Sequence, residues 1–333
     1  MAKLSLSNSI KYLLFFGLGI LIFYLVYRGQ DPGELWSKVK EFKIEWILLS
    51  YVFSILSHIT RALRWRMLIQ PLGYSPSRLN TFLAILVMYL ANFAFPRLGE
   101  VSRCGVLTKY EKVPFTPQIG TVVTERIFDF IILLLILLVM VLAQFGVLTG
   151  FIENNRDKIG FDSPLVTSPF FIAAILGTII LVVVVFFLYR ERIKTNKWVR
   201  KFRELLKKFT QGLLSVRKLK KPGLFLFYSI SIYVCYFLMT YSVFMGFAPA
   251  RELGAMAVFA VLAMGSVGMV IPVQGGIGTY HFFVAQTLLV LGLALPDGEV
   301  LALVLHGSTT IFMIFIGLLA LLALPLVNRN RHN

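Results

Sequence analysis

The residues of this sequence that could do chemistry are charged side chains set within strongly apolar surroundings. In "PRLGEVSR", Arg97, Glu100 and Arg103 lie between two apolar runs, and the spacing of three puts Glu100 and Arg103 on one helix face. A charge at the centre of a membrane costs at least about 2.5–3.5 kcal/mol, so it is paired or functional. We expect an arginine-lined polar pocket here. The alternative is that the segment lies at the membrane interface, where arginine side chains reach towards the headgroups.

A second charged group, in "VVTERIFDF", contains Glu125, Arg126 and Asp129. Glu125 and Asp129 are four residues apart and share one helix face. The 19 uncharged residues 130–148 nearly suffice to span a membrane, which places this group near the inner boundary and facing the bundle. The two acids either hold arginines in structural ion pairs or take part in a functional site.

A third group, in "HITRALRWRML", places Arg61 and Arg64 three residues apart beside Trp65. Tryptophan at such a position is typical of the membrane interface. The arginines could be explained by topology alone, since cytoplasmic ends of membrane helices are rich in basic residues. Arginine is also the side chain that makes forked contacts with phosphate oxygens.

Two breaks with the spacing proline, two residues, glycine interrupt apolar runs, at Pro96–Gly99 and Pro272–Gly275. Proline ends a helix, and glycine permits tight turns and close backbone approach. Broken helices could also direct backbone N–H groups and helix dipoles at an anion. The expected hinge residues are Pro96, Gly99, Pro272, Gly275, Gly276 and Gly278.

Two polar residues stand next to these breaks. Asn92 lies one turn before Pro96 in an apolar arm, where its amide could cap the broken helix or contact a lipid head. His281 follows the second break, in "GGIGTYH". The histidines show no metal-binding spacing, and no glycine-rich phosphate loop precedes a helix, so we expect no cofactor, no metal and no catalytic residue.

The elements that position these residues must be membrane helices. Of the 333 residues, 58% are hydrophobic and 15% are charged, which marks a polytopic integral membrane protein. The net charge of +17 is concentrated in loops, so it indicates topology and contact with anionic lipid rather than nucleic acid. The two cysteines predict no disulfide framework.

Loop charges predict an all-α bundle of about six spanning helices plus two re-entrant hairpins within one domain, 1–333. The segment 190–222 reads as a basic amphipathic loop on the cytoplasmic surface, with thirteen Lys and Arg and two Glu between 190 and 221. Both termini are then expected in the cytoplasm, and the protein itself in the cell inner membrane. The expected spans are 12–27, 46–66, 130–148, 168–189, 224–248 and 299–326.

The hairpins are expected at 79–108 and 253–295, the first entering from the cytoplasm and the second from outside. Their arms, 79–95 and 253–271, are apolar but short for a membrane core of roughly 30 Å. Opposite insertion of two related elements would be an inverted repeat, as in many transporters. Whether each region is a hairpin or a full span, and whether a repeat exists, stays open at this stage.

Four motifs resemble the lysylphosphatidylglycerol synthase transmembrane-region family: "TRALRWRMLI", "NFAFPRLGEVSRCGVL", "VVTERIFDFIILL" and "IPVQGGIGTYHFF", in this order between about 58 and 283. The resemblance implies a helical bundle with re-entrant elements that moves or handles anionic or polyprenyl-phosphate-linked lipids. The matching polar positions are Arg64, Asn92, Pro96, Arg97, Gly99, Glu100, Arg103, Glu125, Arg126 and Asp129. The glycine-rich motif is matched by Pro272, Gly275, Gly276 and Gly278.

Two departures from the family pattern bear on function. Where members often carry an acid after the second glycine motif, this sequence has Tyr280 and His281. Only seven residues follow Leu326. We therefore expect the stand-alone form, without the cytosolic aminoacyltransferase domain.

The leading hypothesis is a flippase-like transporter of an anionic lipid, not an enzyme. Its partners would be the lipid and the bilayer, with a second copy of the chain or a glycosyltransferase left open. The alternatives are a membrane enzyme acting on a lipid phosphate and a scaffold that presents lipid to a glycosyltransferase. Replacement of Arg97 with alanine is expected to abolish transport. The expected lipid contacts are Arg61, Arg64, Asn92, Arg97, Glu100, Arg103, Glu125, Arg126, Asp129 and His281.

Overall fold

The computed structural model describes residues 6–94, 98–143, 216, 219–271 and 273–329, with side chains from Leu14 onward. Throughout these ranges the regular structure is helical and contains no strand, so the predicted all-α fold is confirmed. The helices are α1 Leu6–Tyr27, α2 Pro32–Lys40, α3 Ile44–Ile69, α4 Arg78–Ala94, α5 Leu98–Glu111, α6 Phe115–Ala143, α7 Pro222–Gly246, α8 Ala248–Arg251, α9 Gly254–Val270, α10 Thr279–Val290 and α11 Leu295–Val327.

Four of the described helices are long and apolar enough to cross a membrane: α3 with the turn that follows it, α6, α7 and α11. Shorter apolar helices occupy Leu14–Tyr27, Arg78–Phe93 and Gly254–Val270, within α1, α4 and α9. The predicted span 168–189 and nearly all of the basic segment 190–222 lie outside the described residues.

The two predicted hairpins are present as antiparallel helix pairs. In the first, the amide of Asn80 near the start of α4 donates to the carboxylate of Glu111 at the end of α5. In the second, the hydroxyl of Thr279 at the start of α10 donates to the carbonyl of Gly268 near the end of α9, at 2.8 Å. Each chain break therefore forms the tip of a hairpin.

The two hairpins enter from opposite ends of the long helix α11. Asn80, at the base of the first hairpin, exchanges hydrogen bonds with Asn328, just beyond the last residue of α11. The second hairpin packs against the beginning of α11, where Gly298 contacts Ala285 of α10. The two hairpins thus point in opposite directions along α11, and their insertion from opposite sides of a membrane stays a prediction.

The hairpin tips meet between these ends. The side-chain amide of Gln274 in the second tip donates to the carbonyl of Phe93 in the first, at 3.1 Å. His306 of α11 lies beside this contact, with Nε2 2.8 Å from the carbonyl oxygen of Gly275. The two hairpin tips therefore contact each other and α11.

The order helix, hairpin, helix occurs twice with reversed direction. The first set is α3, α4–α5 and α6, and the second is α7, α9–α10 and α11. Helices α3 and α7 lie antiparallel, because Lys43 before α3 bonds Gly246 at the end of α7 while Arg64 bonds Ser229 near its start. Such an arrangement is typical of inverted-repeat transporters.

Glycine is required at the second tip for two reasons. Gly275, Gly276 and Gly278 have φ values of 59°, 74° and 82°, which side chains rarely adopt. A Cβ on Gly278 would also lie 2.5 Å from the carbonyl oxygen of Gly19 in α1. Glycine therefore fits this break as the sequence predicted, and the hinge role of these three residues stays a prediction. Pro96 and Pro272 lie outside the described residues.

The two ends of the molecule differ in charge. We term the end of the molecule at which α3, α5 and α11 finish the basic end. It carries the acid Glu111 and the basic residues Arg66, Arg78, Lys109, Lys112, Lys220, Lys221 and Arg329. The opposite end carries both basic and acidic side chains. There an ion pair between Lys38 and Asp297 at 2.9 Å joins α2 to the start of α11.

Candidate functional site

The predicted charged residues converge on one buried site between α3, α5 and α6. We term this site the charge cluster. The spacing of three residues directs Arg61 and Arg64 of α3 to one side, and the spacing of four does the same for Glu125 and Asp129 of α6. The cluster consists of Arg61, Arg64, Glu100, Arg103, Glu125, Arg126 and Asp129.

Glu125 is the centre of the charge cluster. Its Oε1 accepts from Arg61 Nη1 at 3.0 Å and from Arg64 Nη2 at 2.9 Å. Its Oε2 lies 2.8 Å from Nη1 of Arg103. The side chains of Arg64, Arg103 and Glu125 are all 0% exposed. One fully buried carboxylate thus holds three guanidinium groups.

Asp129 provides the second carboxylate. Its oxygens lie 3.1 Å from Arg61 Nη1 and 2.8 Å from Arg64 Nη2, so both arginines of α3 bridge the two acids. The structural ion pairing that the sequence left as one alternative is therefore present. These pairs explain why charges are tolerated here, since a buried charge without partners costs several kcal/mol.

The prediction that Trp65 lies at the membrane interface is wrong. Its side chain is 0% exposed, and its Nε1 donates to Thr121 Oγ1 at 2.9 Å. The guanidinium of Arg103 lies 4.4 Å from the centre of its ring. The indole stays inside because it satisfies its N–H and stabilises a buried cation through its π-face.

Helix α7 contributes partners that the sequence reasoning missed. Tyr236 accepts from Arg61 Nη2 at 3.0 Å, and Ser229 accepts from Arg64 Nη1 at 3.3 Å. Tyr233 donates to the backbone carbonyl of Asp129 at 2.9 Å. Their spacing, with Tyr233 four residues and Tyr236 seven residues after Ser229, places all three on one helix face. That polar face in an apolar span was the signal that could have identified them.

Arg126 differs from the other described arginines of the cluster because its side chain is 44% exposed. It lies on the outward face of α6, one turn from the exposed Val123 and Phe130. Its guanidinium is 3.6 Å from Glu100 Oε1 and 3.5 Å from Asp129 Oδ2. Arg97, which the sequence placed in the same pocket, lies outside the described residues.

The charge cluster carries a formal excess of one positive charge in the described part of the chain. Four arginines face three acids, which gives +4 − 3 = +1. Arg61 lies eight residues before Ile69, the last residue of α3, or about 12 Å at helical rise. The cluster is therefore set well inside the bundle, where low polarity strengthens electrostatic attraction.

The two remaining predicted contacts lie elsewhere. Asn92 Oδ1 accepts from the backbone N–H of Gly99 at 2.8 Å, so the capping alternative is observed. His281 is buried in the second hairpin, where Nδ1 accepts from the N–H of Gly278 at 3.2 Å. Its ring contacts Phe23 and His306. No described contact joins His281 to the charge cluster.

The described residues hold no group of three or more His, Cys, Asp or Glu side chains that could bind a metal. Cys104 and Cys235 are free thiols. The lipid-binding roles assigned from the sequence stay predictions, as does the expectation that the protein is not an enzyme.

The four long apolar helices, the opposed hairpins and the buried ion network define a multi-pass integral membrane protein. The chain belongs to the lysylphosphatidylglycerol synthase transmembrane-region family, whose pattern matches residues 9–317. It is similar to a UPF0104 membrane protein of Methanocaldococcus jannaschii, with 34% identity over 110 residues. That match covers 32% of this chain and 32% of the relative. No solved structure matches the chain.

Proposed function

We propose that this protein is a flippase-like transporter that moves a lipid with an anionic phosphate head between the two leaflets. The lipid is a phospholipid or a polyprenyl-phosphate-linked lipid. The observation that carries the proposal is the half-exposed guanidinium of Arg126 on the apolar outward face of α6, which supplies the one positive charge by which the described arginines of the charge cluster exceed its acids.

The geometry suits an amphiphile. A phosphate at Arg126 could receive forked hydrogen bonds from the guanidinium. Its acyl chains would stay on the outward face of α6, along Val123 and Phe130. Arg61 and Arg64 hold Asp129 in place, and Asp129 in turn positions Arg126. The buried pairs then act as a support for the exposed arginine.

The hairpins supply the means of changing access. Their tips meet inside the bundle, where Gln274 donates to the carbonyl of Phe93. This contact interrupts the path along the hairpins from one end of the molecule to the other. Rocking of one repeat against the other would separate the tips and expose the site to alternate leaflets. We assign no cofactor and no covalent step, so movement is passive or coupled to an ion.

The basic end lies on the cytoplasmic side of the cell inner membrane in this proposal, because basic loops stay in the cytoplasm. The polar head would reach Arg126 from that leaflet. A second copy of the chain or a glycosyltransferase would be an additional partner, one that uses the translocated lipid.

The proposal is tested by headgroup translocation in proteoliposomes. Fluorescent phosphatidylglycerol and a polyprenyl phosphate are compared with phosphatidylcholine, and protein-free liposomes give the background rate. We expect protein-dependent movement of the anionic lipids that exceeds that of the zwitterionic lipid. Movement no faster than the background for every lipid, with folded protein, would reject the function.

A further inference from the structure

A second basic site lies outside the charge cluster, at the basic end of the α3–α7 pair. It is a cavity of about 560 Å³ between the end of α3, the turn that follows it and the start of α7. The residues that line it are Leu63, Arg66, Met67, Gln70, Pro71, Ser75, Arg78, Leu219, Lys220, Lys221, Leu224 and Tyr228.

The described residues of the lining include four cations and no acid. These are Arg66, Arg78, Lys220 and Lys221. None of the four has an ion pair with a described residue, whereas the buried arginines of the charge cluster are all paired. Arg66 is held by a bond from Nε to the carbonyl of Pro76 at 2.7 Å, which leaves its two terminal nitrogens for a ligand.

The cavity also has apolar walls and an apolar surface leading away from it. Leu63, Met67 and Leu224 are among its lining residues. Next to it, the outward face of α7 exposes Phe227, at 61%, and Ile230, at 60%. Cations at the rim followed by an exposed apolar helix face suit a molecule with a charged head and hydrocarbon tails.

We propose that this cavity binds the phosphate head of an anionic membrane lipid at the surface of the basic end. Cationic pockets between membrane helices are suited to such heads, each nearby Lys or Arg contributing attraction to an anionic lipid. The ligand chemistry is a phosphate anion, and the neighbouring exposed helix face makes a lipid the source. The site does not depend on translocation, because it requires only binding.

The cavity is distinct from the charge cluster. Leu63 and Tyr228 face the cavity, while the adjacent Arg64 and Ser229 face the cluster on the other side of the α3–α7 pair. A packed group that includes Leu68 and Phe225 separates the two, since its members Met67 and Leu219 line the cavity while Phe225 contacts Arg64. A headgroup in the cavity can therefore be removed by mutation without touching the ion network.

The test is equilibrium binding of dioleoyl phosphatidylglycerol to purified full-length protein in detergent, followed by native mass spectrometry. The variant is Arg78→Gln with Lys220→Gln, both exposed side chains. The matched control is Arg329→Gln with Lys109→Gln, which removes the same charges from exposed positions on the same end. Phosphatidylcholine and inorganic phosphate are titrated in parallel.

We expect the cavity variant to bind phosphatidylglycerol about thirtyfold more weakly, since two nearby cations are lost. The control should bind like the wild type, and phosphatidylcholine should bind weakly to all three. Equal loss in the control would mean diffuse surface attraction and would overturn the site. Tight binding of inorganic phosphate that displaces the lipid would overturn the lipid as ligand. Neither result depends on whether the protein moves lipid.

Discussion

At the scale of single residues, the charge cluster is a shared network rather than a set of independent pairs. Glu125 contacts three arginines, and Asp129 contacts two of the same three and also Arg126. Removing one carboxylate therefore leaves several buried cations without adequate compensation. Breaking a buried pair from one side costs more than an exposed pair ever contributes.

Glu125→Gln is expected to destabilise the protein strongly. The change keeps the shape but removes the charge that holds Arg61, Arg64 and Arg103, with a cost of about 3–5 kcal/mol. The measurement is the melting temperature of purified protein, followed by fluorescence-detected size exclusion. Glu100→Gln is the matched control, because Glu100 is 25% exposed and 3.6 Å from its arginine. Equal melting temperatures for the two variants would contradict the network.

The sequence predicted the members of the cluster but not how they divide between pairing and exposure. Spacing placed Glu125 and Asp129 on one face, and the cost of isolated charge required partners. Which arginine remains exposed depends on the rotation of α6 against α3 and α5, and that rotation is set by packing. The sequence did not predict the burial of Trp65 for the same reason. Its partner Arg103 lies on another helix, and their contact depends on how the helices pack.

At the scale of elements, the two hairpins were predictable because their breaks are local. The arms predicted at 79–95 and 253–271 correspond to α4 at Arg78–Ala94 and α9 at Gly254–Val270. The positions of proline and glycine and the charge of a loop are features of a short stretch of sequence. The contact between the tips could not be read in this way, because Gln274 and Phe93 are 181 residues apart.

Gly278→Ala is expected to destabilise the second hairpin and to lower the melting temperature by a few degrees. Its φ of 82° disfavours a side chain, and the new Cβ would lie 2.5 Å from the carbonyl oxygen of Gly19 and 2.7 Å from the N–H nitrogen of Phe23. Gly307→Ala is the control, because nothing lies within 4 Å of a Cβ there. In a helix that control should be neutral or stabilising.

A melting temperature for Gly278→Ala equal to that of Gly307→Ala would contradict the tight contact between the second tip and α1. The comparison uses the same chemical change at both sites. Any difference therefore reports backbone conformation and space rather than the added methyl group itself.

At the scale of the whole molecule, the opposed hairpins predict that their bases face different compartments. Lys109 near the end of α5 and Arg251 in α8 are both exposed and mark the two bases. In a background with Cys104 and Cys235 replaced by alanine, Lys109→Cys should be labelled by an impermeant maleimide only after the cells are opened. Arg251→Cys should be labelled in intact cells.

Labelling of both positions from the same side would show that the two regions do not insert oppositely. Reversed labelling would keep the opposed hairpins but place the basic end outside, against the expected charge bias. The order of the described spans agrees with the order predicted from the sequence. The contacts within the charge cluster were not predictable, because they join side chains from four helices, α3, α5, α6 and α7.

The central claim is that Arg126 carries the phosphate head of a translocated lipid while the buried pairs only support it. The most direct test is the translocation rate of phosphatidylglycerol in proteoliposomes for Arg126→Gln, with Arg251→Gln as an arginine control at the opposite end. We predict that Arg126→Gln loses at least about tenfold in rate while its melting temperature stays close to that of the wild type, since its side chain is 44% exposed and its ion pairs are long. Arg251→Gln should transport like the wild type. An Arg126→Gln protein that moves lipid at the wild-type rate would contradict the account.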